Sequence, residues 1–361
     1  MAKRAQQDEL RLSLPIFFAT DREAEQKKGN EFDYGDQIIE PIDAISYGIR
    51  QQETKARIAS IGPGKDWGWT IVPEKGGPGA AIAADTASAS SHEFATVAFA
   101  ADRKDALFAR VRSALAKCDR KEIVVFVHGC CLTFKESMRQ AAALESRVKV
   151  PVIAYCWGCS LGYAGSNLAY PRTQERFNDF MTSVMREFPE ERITLVGNSL
   201  GNSVIISFCL QRRVDEIGRR LNNIFLARAD VDAVAFKSQV KYLKNFSDNV
   251  ILYVASNDPQ INISGVLRWF AFPTQHGERV GNLRSMLQTE SSVMVLDVSP
   301  LKMKHTIPYQ SIADIVFNNG VIPDQSNEYV YKRESDNLVR VSPIEKAQTS
   351  KTSVETPECC N

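Results

Sequence analysis

The segment LVGNSLGNSV, residues 195–204, holds the serine best placed for covalent chemistry. Ser199 stands between Gly197 and Gly201, which gives the pattern G-x-S-x-G. A serine on a sharp turn from strand to helix projects its hydroxyl above the sheet, where it can attack an acyl carbon. The residues two places away must be small, because the strand and helix backbones nearly touch there. The helix start behind the serine offers N–H groups and a partial positive charge, which suit an oxyanion. The context agrees: RITLV before the motif reads as a strand, and SVIISFCL after it as a helix. Ser203 has Ile205 where the second glycine would stand and falls inside the helix. The plainer reading of the motif is a tight strand-to-helix turn with a capping serine.

A nucleophilic serine needs a base in reach and an acid to orient that base, in the chain order serine, acid, histidine. Only His276 and His305 follow Ser199. His305 comes just after the strand-like VMVLDVS, in a loop at the C-terminal edge of the last strand. His276 lies in FPTQHGERVGN with no strand directly before it. For the acid, Asp258 ends the strand-like ILYVASND, while Asp230 and Asp232 compete for the role from ARADVD, at the end of the preceding strand. The plainer role of each aspartate is to form a turn or cap a helix. The oxyanion donors expected are the N–H groups of Leu200 and Cys130, the latter in the loop after VVFVHG. His128 precedes the serine and ends a buried strand, so its ring is expected to hold the loop and not to act as base.

These residues need elements to position them. From about residue 102 strands and helices alternate. DRKDALFARVRSALAKC, SMRQAAALESRV, TQERFNDFMTSVMREF and SVIISFCLQRRVDEIGRR read as helices. EIVVFVHG, VPVIAYCW, RITLVGNS, NNIFLARAD, NVILYVASND and SVMVLDVS read as strands, several of them apolar on both faces as buried parallel strands are. Such alternation implies a mostly parallel central sheet with helices on both faces and right-handed crossovers. Earlier in the chain IFFAT, YGDQIIEP, WGWTIVPE and EFATVAFA look like strands, and KGGPGAAIAADTASASS between the last two reads as a surface loop. The expected organisation is an N-terminal extension with the first strands over 1–105, the α/β core over 106–325, and a disordered polar tail over 326–361. The short connection after NNIFLARAD leaves no room there for a large lid.

Composition narrows the function classes. The 361 residues carry 44 Lys plus Arg and 43 Asp plus Glu, a net charge of +1, so no general field attracts nucleic acid or anionic lipid. No apolar run reaches the roughly 18 residues that cross a bilayer, and the N-terminus lacks a secretory pattern, which points to the cytoplasm. Among the cysteines, Cys130 and Cys131 adjoin, Cys156 and Cys159 form C-x-x-C, and Cys359 and Cys360 stand near the end. The first four suggest tetrahedral zinc or a redox disulfide, but lack the two spaced ligand pairs of structural zinc. They are read as small hydrophobes packed under tight loops, with no metal and no cofactor.

Together VVFVHG, a strand ending in CWGCS, LVGNSLGNSVI, SNDPQ and a histidine after the last strand resemble the α/β-hydrolase superfamily. More narrowly, FFATDR, FDYGD and ADVDAVAF resemble a bacterial α/β-hydrolase family of unknown function, over roughly residues 15–320. The resemblance implies an α/β-hydrolase fold and places a triad on Ser199, Asp258 and His305. Two departures concern the pocket wall: Asn198 stands where the family usually has histidine, and Cys130–Cys131 where it has a tyrosine–asparagine pair. The expected function is a serine hydrolase acting on a small-molecule carboxylic ester or related acyl compound, with thioesters and amides open to the same groups. Val266, Leu267, Trp269, Phe270 and Phe272 could wall an acyl pocket. The alternative is a non-catalytic interaction protein on a hydrolase scaffold.

Overall fold

The structure, a computed structural model, describes residues 16–26, 32–38, 46–51, 56–57, 70–71, 95–99, 104–158, 162–218, 220–256, 258–261, 278–282, 293–303 and 305–344. His276, Cys159, Cys359, Cys360 and the aromatic stretch 266–272 lie outside them. The strands are β1 (Ile16–Thr20), β2 (Arg22–Gln26), β3 (Phe32–Ile38), β4 (Ser46–Gln51), β5 (Ala56–Arg57), β6 (Thr70–Ile71), β7 (Ala95–Phe99), β8 (Glu122–Val127), β9 (Val152–Cys156), β10 (Arg192–Asn198), β11 (Leu221–Ala227), β12 (Ser247–Val254), β13 (Met294–Asp297), β14 (Tyr329–Ser335) and β15 (Leu338–Pro343). The helices are α1 (Lys104–Ala116), α2 (Phe134–Val148), α3 (Gly162–Glu187), α4 (Gly201–Gln211), α5 (Val214–Ile217), α6 (Ala233–Phe246) and α7 (Tyr309–Phe317).

Eleven strands form one sheet in the order β14-β15-β13-β12-β11-β10-β8-β9-β1-β4-β7. Pairings from β1 through β15 across the middle are parallel, and only the outer pairs β1–β4, β4–β7 and β14–β15 are antiparallel. Its interior strands are buried on both sides: all six residues of EIVVFV in β8 are buried, and all but Glu122 are apolar. One face buries Leu107, Phe108 and Val111 of α1, Phe177 and Phe180 of α3, Val204 and Phe208 of α4, and Phe236 and Leu243 of α6. The other face buries Met138 and Leu144 of α2 and Ile312 and Ile315 of α7. Helix α2 shows why these sequences fold as they do. Phe134, Met138, Ala141, Leu144 and Val148 recur every three or four residues and are all buried. Thr133 and Glu136 close a reciprocal capping box at its start, with Glu136 Oε2 accepting the Thr133 N–H at 2.8 Å. Such a cap contributes about 1 kcal/mol.

Two elements depart from the sequence reading. SVIISFCLQRRVDEIGRR is not one helix: it breaks at Arg212 and Arg213, both extended, and resumes as the single turn α5. Residues 329–343, expected in a disordered tail, instead form the hairpin β14–β15 and extend the sheet beside β13. The reason is an apolar pattern hidden by polarity. In the edge strand β14 Tyr331 turns inward while Lys332, Arg333 and Glu334 face solvent, where charge is tolerated, and β15 buries Leu338, Val339 and Val341 between β13 and β14. Residues 345–361 lie outside the described set. Among the described residues no helix is long and apolar enough to cross a membrane.

The chain leaves β8 toward β9 on one side of the sheet and returns to β10 on the other. The C-terminal ends of β8 and β10 therefore diverge, and ligands of open α/β sheets bind at such a switch point.

Candidate active site

Ser199 sits at this switch point, between the end of β10 and the start of α4, with φ at 51°. A non-glycine residue in the left-handed region stores about 1–3 kcal/mol of strain that its surroundings must hold in place. They hold it through five hydrogen bonds, four of them on Ser199 itself. The Ser199 N–H donates to the Ala227 carbonyl at 2.9 Å, and the Ser199 carbonyl accepts from the N–H groups of Asn202 at 3.2 Å and Asp230 at 3.3 Å. The buried Asn202 amide donates to the Ser199 and Ala227 carbonyls, both at 2.9 Å. The flanking glycines are required by contact. A Cβ on Gly197 would lie 2.3 Å from Asn202 Oδ1, and one on Gly201 would lie 2.3 Å from the His128 carbonyl oxygen.

The loop after β8 lies directly against the serine: a Cβ on Gly129 would fall 2.9 Å from Ser199 Cβ. Gly129, the residue before Cys130, therefore meets the turn that Leu200 continues into α4. The His128 ring is buried, stacked on Trp157 with centroids 5.4 Å apart, and its Nδ1 lies 2.6 Å from the Gly129 carbonyl. Nδ1 must then be the donor, an assignment made from that contact. Burial, and next the nearby Arg22 charge, push its pKa down to about 3, so the ring is neutral. Its role is to hold the loop, as its place in the sequence implied.

His305 and Asp258 are brought together. His305 Nδ1 lies 2.7 Å from Asp258 Oδ2, and the aspartate is fully buried. The other carboxylate oxygen accepts the N–H groups of Gln260 at 3.0 Å and Ile261 at 3.3 Å. Burial alone would raise the Asp258 pKa. The His305 hydrogen bond and charge, Arg228 and the Ile261 N–H outweigh it and hold the carboxyl below its usual range. Arg228 Nη1 is 3.5 Å from Asp258 Oδ2, with both side chains buried. Arg228 itself has φ 49° and also donates to the Met303 carbonyl at 3.4 Å, next to the histidine loop. Among the described residues no hydrogen bond joins Ser199 Oγ to the His305 ring.

The competing acids have other work. Asp232 is the N-cap of α6, its carboxylate accepting the Ala235 N–H at 2.9 Å. Asp230 pairs with the buried Arg279 at 3.3 Å. Among the described residues no group of three or more His, Cys, Asp or Glu is placed to hold a metal ion.

Four supporting residues escaped the sequence reading: Asn202, Arg228, and the Asp21–Arg22 pair of FFATDR. Asp21 is buried. It accepts the Gly158 N–H at 2.8 Å, the Thr173 hydroxyl, and the Tyr155 hydroxyl at 3.5 Å. Arg22 donates to the Leu132 carbonyl at 2.6 Å and the Gly35 carbonyl at 3.2 Å. The pair thus ties the loops after β8 and β9 to β1. In the sequence the pair shows as an adjacent acid and base directly after an apolar strand, within the FFATDR segment that carries the family resemblance.

A family model described as alpha/beta hydrolase of unknown function matches residues 103–314. Among solved structures, the chain is similar to the iron-lacking apo form of ESTFA, at 13% identity and TM-score 0.33, over 57% of this chain and 76% of that one. It is also similar to a lipase-esterase related protein from Clostridium acetobutylicum ATCC 824, at 11% identity and TM-score 0.29, over 55% of this chain and 95% of the other. Among curated proteins, none matches this sequence.

Proposed function

The chain belongs to the α/β-hydrolase family of unknown function, and on that premise we propose that it is a serine hydrolase of carboxylic esters or related acyl compounds. One juxtaposition carries this reading. A serine held at φ 51° on a strand-to-helix turn shares a sheet edge with a histidine fixed at 2.7 Å to a buried carboxylate. Strands β10 and β12 have only β11 between them. At about 4.8 Å per strand the ends are about 10 Å apart, a gap that one imidazole and two hydrogen bonds bridge. The serine–histidine hydrogen bond is the one that commonly tightens only when substrate binds.

In this reading His305 Nε2 takes the Ser199 proton as the oxygen attacks the acyl carbon. Asp258 stays ionised, fixes the ring through Nδ1 and stabilises the imidazolium. The Leu200 and Cys130 N–H groups receive the oxyanion. His305 then protonates the departing alkoxide, and water releases the acyl group from Ser199 by the reverse proton path. The test is turnover of short p-nitrophenyl esters, alongside thioesters and amides to define the bond. Ser199→Ala should lower kcat on the order of 10⁶-fold. A Ser199→Ala protein with most of its activity would contradict the mechanism.

A further inference from the structure

Cys130 and Cys131 are adjacent in the loop that lies against Ser199, and no hydrolytic step above uses either sulfur. Neither is in a disulfide; Cys130 is half-buried and Cys131 is exposed. Cys131 has φ 61°, and its Sγ is 3.9 Å from Ser166 Oγ. The other described cysteines are poorer nucleophiles. Cys156 and Cys209 are buried, and burial pushes the Cys209 and Cys118 thiols up. We propose that Cys130 and Cys131 form a site of reversible oxidation by hydroperoxides, closing to a disulfide beside the nucleophile. A hydrogen bond from the Cys130 thiol outweighs partial burial, and with help from Ser166 holds the Cys131 pKa at about 7. Much of the exposed sulfur is therefore thiolate at neutral pH, next to a second thiol that can trap its oxidised form.

The step balances with the hydroperoxide as oxidant. The Cys131 thiolate attacks one peroxide oxygen and the O–O bond breaks. The alkoxide leaves and takes a proton as alcohol, and Cys131 becomes a sulfenic acid. The Cys130 sulfur then attacks the Cys131 sulfur; the S–S bond forms, the S–O bond breaks, and hydroxide leaves as water with the Cys130 proton. Two thiols lose two electrons, and one peroxide gains them. Adjacent Cα atoms are held about 3.8 Å apart, whereas disulfides prefer about 4.4–6.8 Å. The product is strained, which makes it easily reduced and so reversible. Closing it must bend the loop that carries the Cys130 N–H. Loss of Ser199 reactivity on oxidation is a consequence that rests on the hydrolase reading.

The experiment treats the protein carrying Cys359→Ser and Cys360→Ser with hydrogen peroxide, then alkylates and digests with trypsin. Residues 122–135 and 150–172 fall in separate peptides, so Cys130 and Cys131 are resolved from Cys156 and Cys159. The expected result is loss of two hydrogens in 122–135, reversed by dithiothreitol, at a rate that rises with pH through about 7. Cys130→Ser should leave a sulfenic acid on Cys131 that dimedone traps, and Cys131→Ser should abolish the reaction. Two alkylatable thiols remaining in 122–135, while peroxide oxidises other cysteines, would overturn the proposal. Fluorophosphonate labelling of Ser199 in the oxidised and reduced forms separates the two readings. Absence of labelling in both forms would count against the hydrolase, and would leave the disulfide result standing.

Discussion

Gly201→Ala tests whether the close approach of β8 and α4 is what sets the serine turn. The new Cβ would lie 2.3 Å from the His128 carbonyl oxygen and 2.6 Å from that of Val127. Real Cβ contacts stay above 3.0 Å, so strand end and helix start must separate by at least about 0.7 Å, the difference between 3.0 and 2.3. Both obstructing atoms are backbone, and β8 is paired on both sides, so no rotamer change relieves the clash. Overpacking of this kind costs about 1–3 kcal/mol, occasionally more. The same movement pulls Leu200 away from Gly129 and Cys130, and a misplacement near 1 Å can cost about 10²-fold in rate. Gly218→Ala is the control. Nothing lies within 4 Å of its Cβ, and its φ of +83° alone gives an expected cost of about 1–2 kcal/mol. Urea denaturation and p-nitrophenyl ester turnover should show Gly201→Ala less stable by about 2–3 kcal/mol and slower by about 10- to 100-fold. Gly218→Ala should keep its rate. A Gly201→Ala protein with the stability and rate of the parent would show that this close approach does not set the turn.

Asp258→Asn should lower kcat by about 10⁴-fold, the effect of losing a triad carboxylate. Asp232→Ala should cost only about 1 kcal/mol of thermal or urea stability through a lost helix cap and leave turnover unchanged; the reverse pattern would reassign the acid. The folded-state pKa of Asp258 lies below its unfolded value, so its stabilisation is complete above the ordinary carboxylate range and is lost as pH falls through the folded value. Arg228→Gln removes one of the charges holding that value down. Its acid unfolding should move to higher pH, and breaking the buried pair should cost about 3–5 kcal/mol. Arg22→Met unties the Leu132 carbonyl, so denaturation should show a loss of about 1.5–3 kcal/mol. Ester kinetics should show kcat falling more than KM changes.

Local signals were legible in the sequence and long-range ones were not. Gly197, Ser199 and Gly201 fall within five residues, and the strand and helix around them have clear periodicities, so the turn could be read directly. His305 and Asp258 could be placed because each follows an apolar strand and the sheet edge gathers such positions. Arg22 reaches a carbonyl at Leu132 and Asp21 a hydroxyl at Thr173, more than a hundred residues away, and no spacing rule reports such a contact. Asn202 and Arg228 lie closer to the motifs but resemble ordinary surface polar residues until burial reveals them. The β14–β15 hairpin was missed because the edge strand β14 buries only Tyr331, and Lys332, Arg333 and Arg340 masked the apolar residues around them. Asp232 shows the converse: an aspartate ending a strand is as readily a cap as a catalytic acid.

Whether Ser199 is the nucleophile is decided by fluorophosphonate labelling with the adduct located by mass spectrometry. A single phosphonylated residue, Ser199, is expected, with labelling strongly slowed by His305→Ala. Stoichiometric labelling at another serine, or none at all in folded protein, would contradict it.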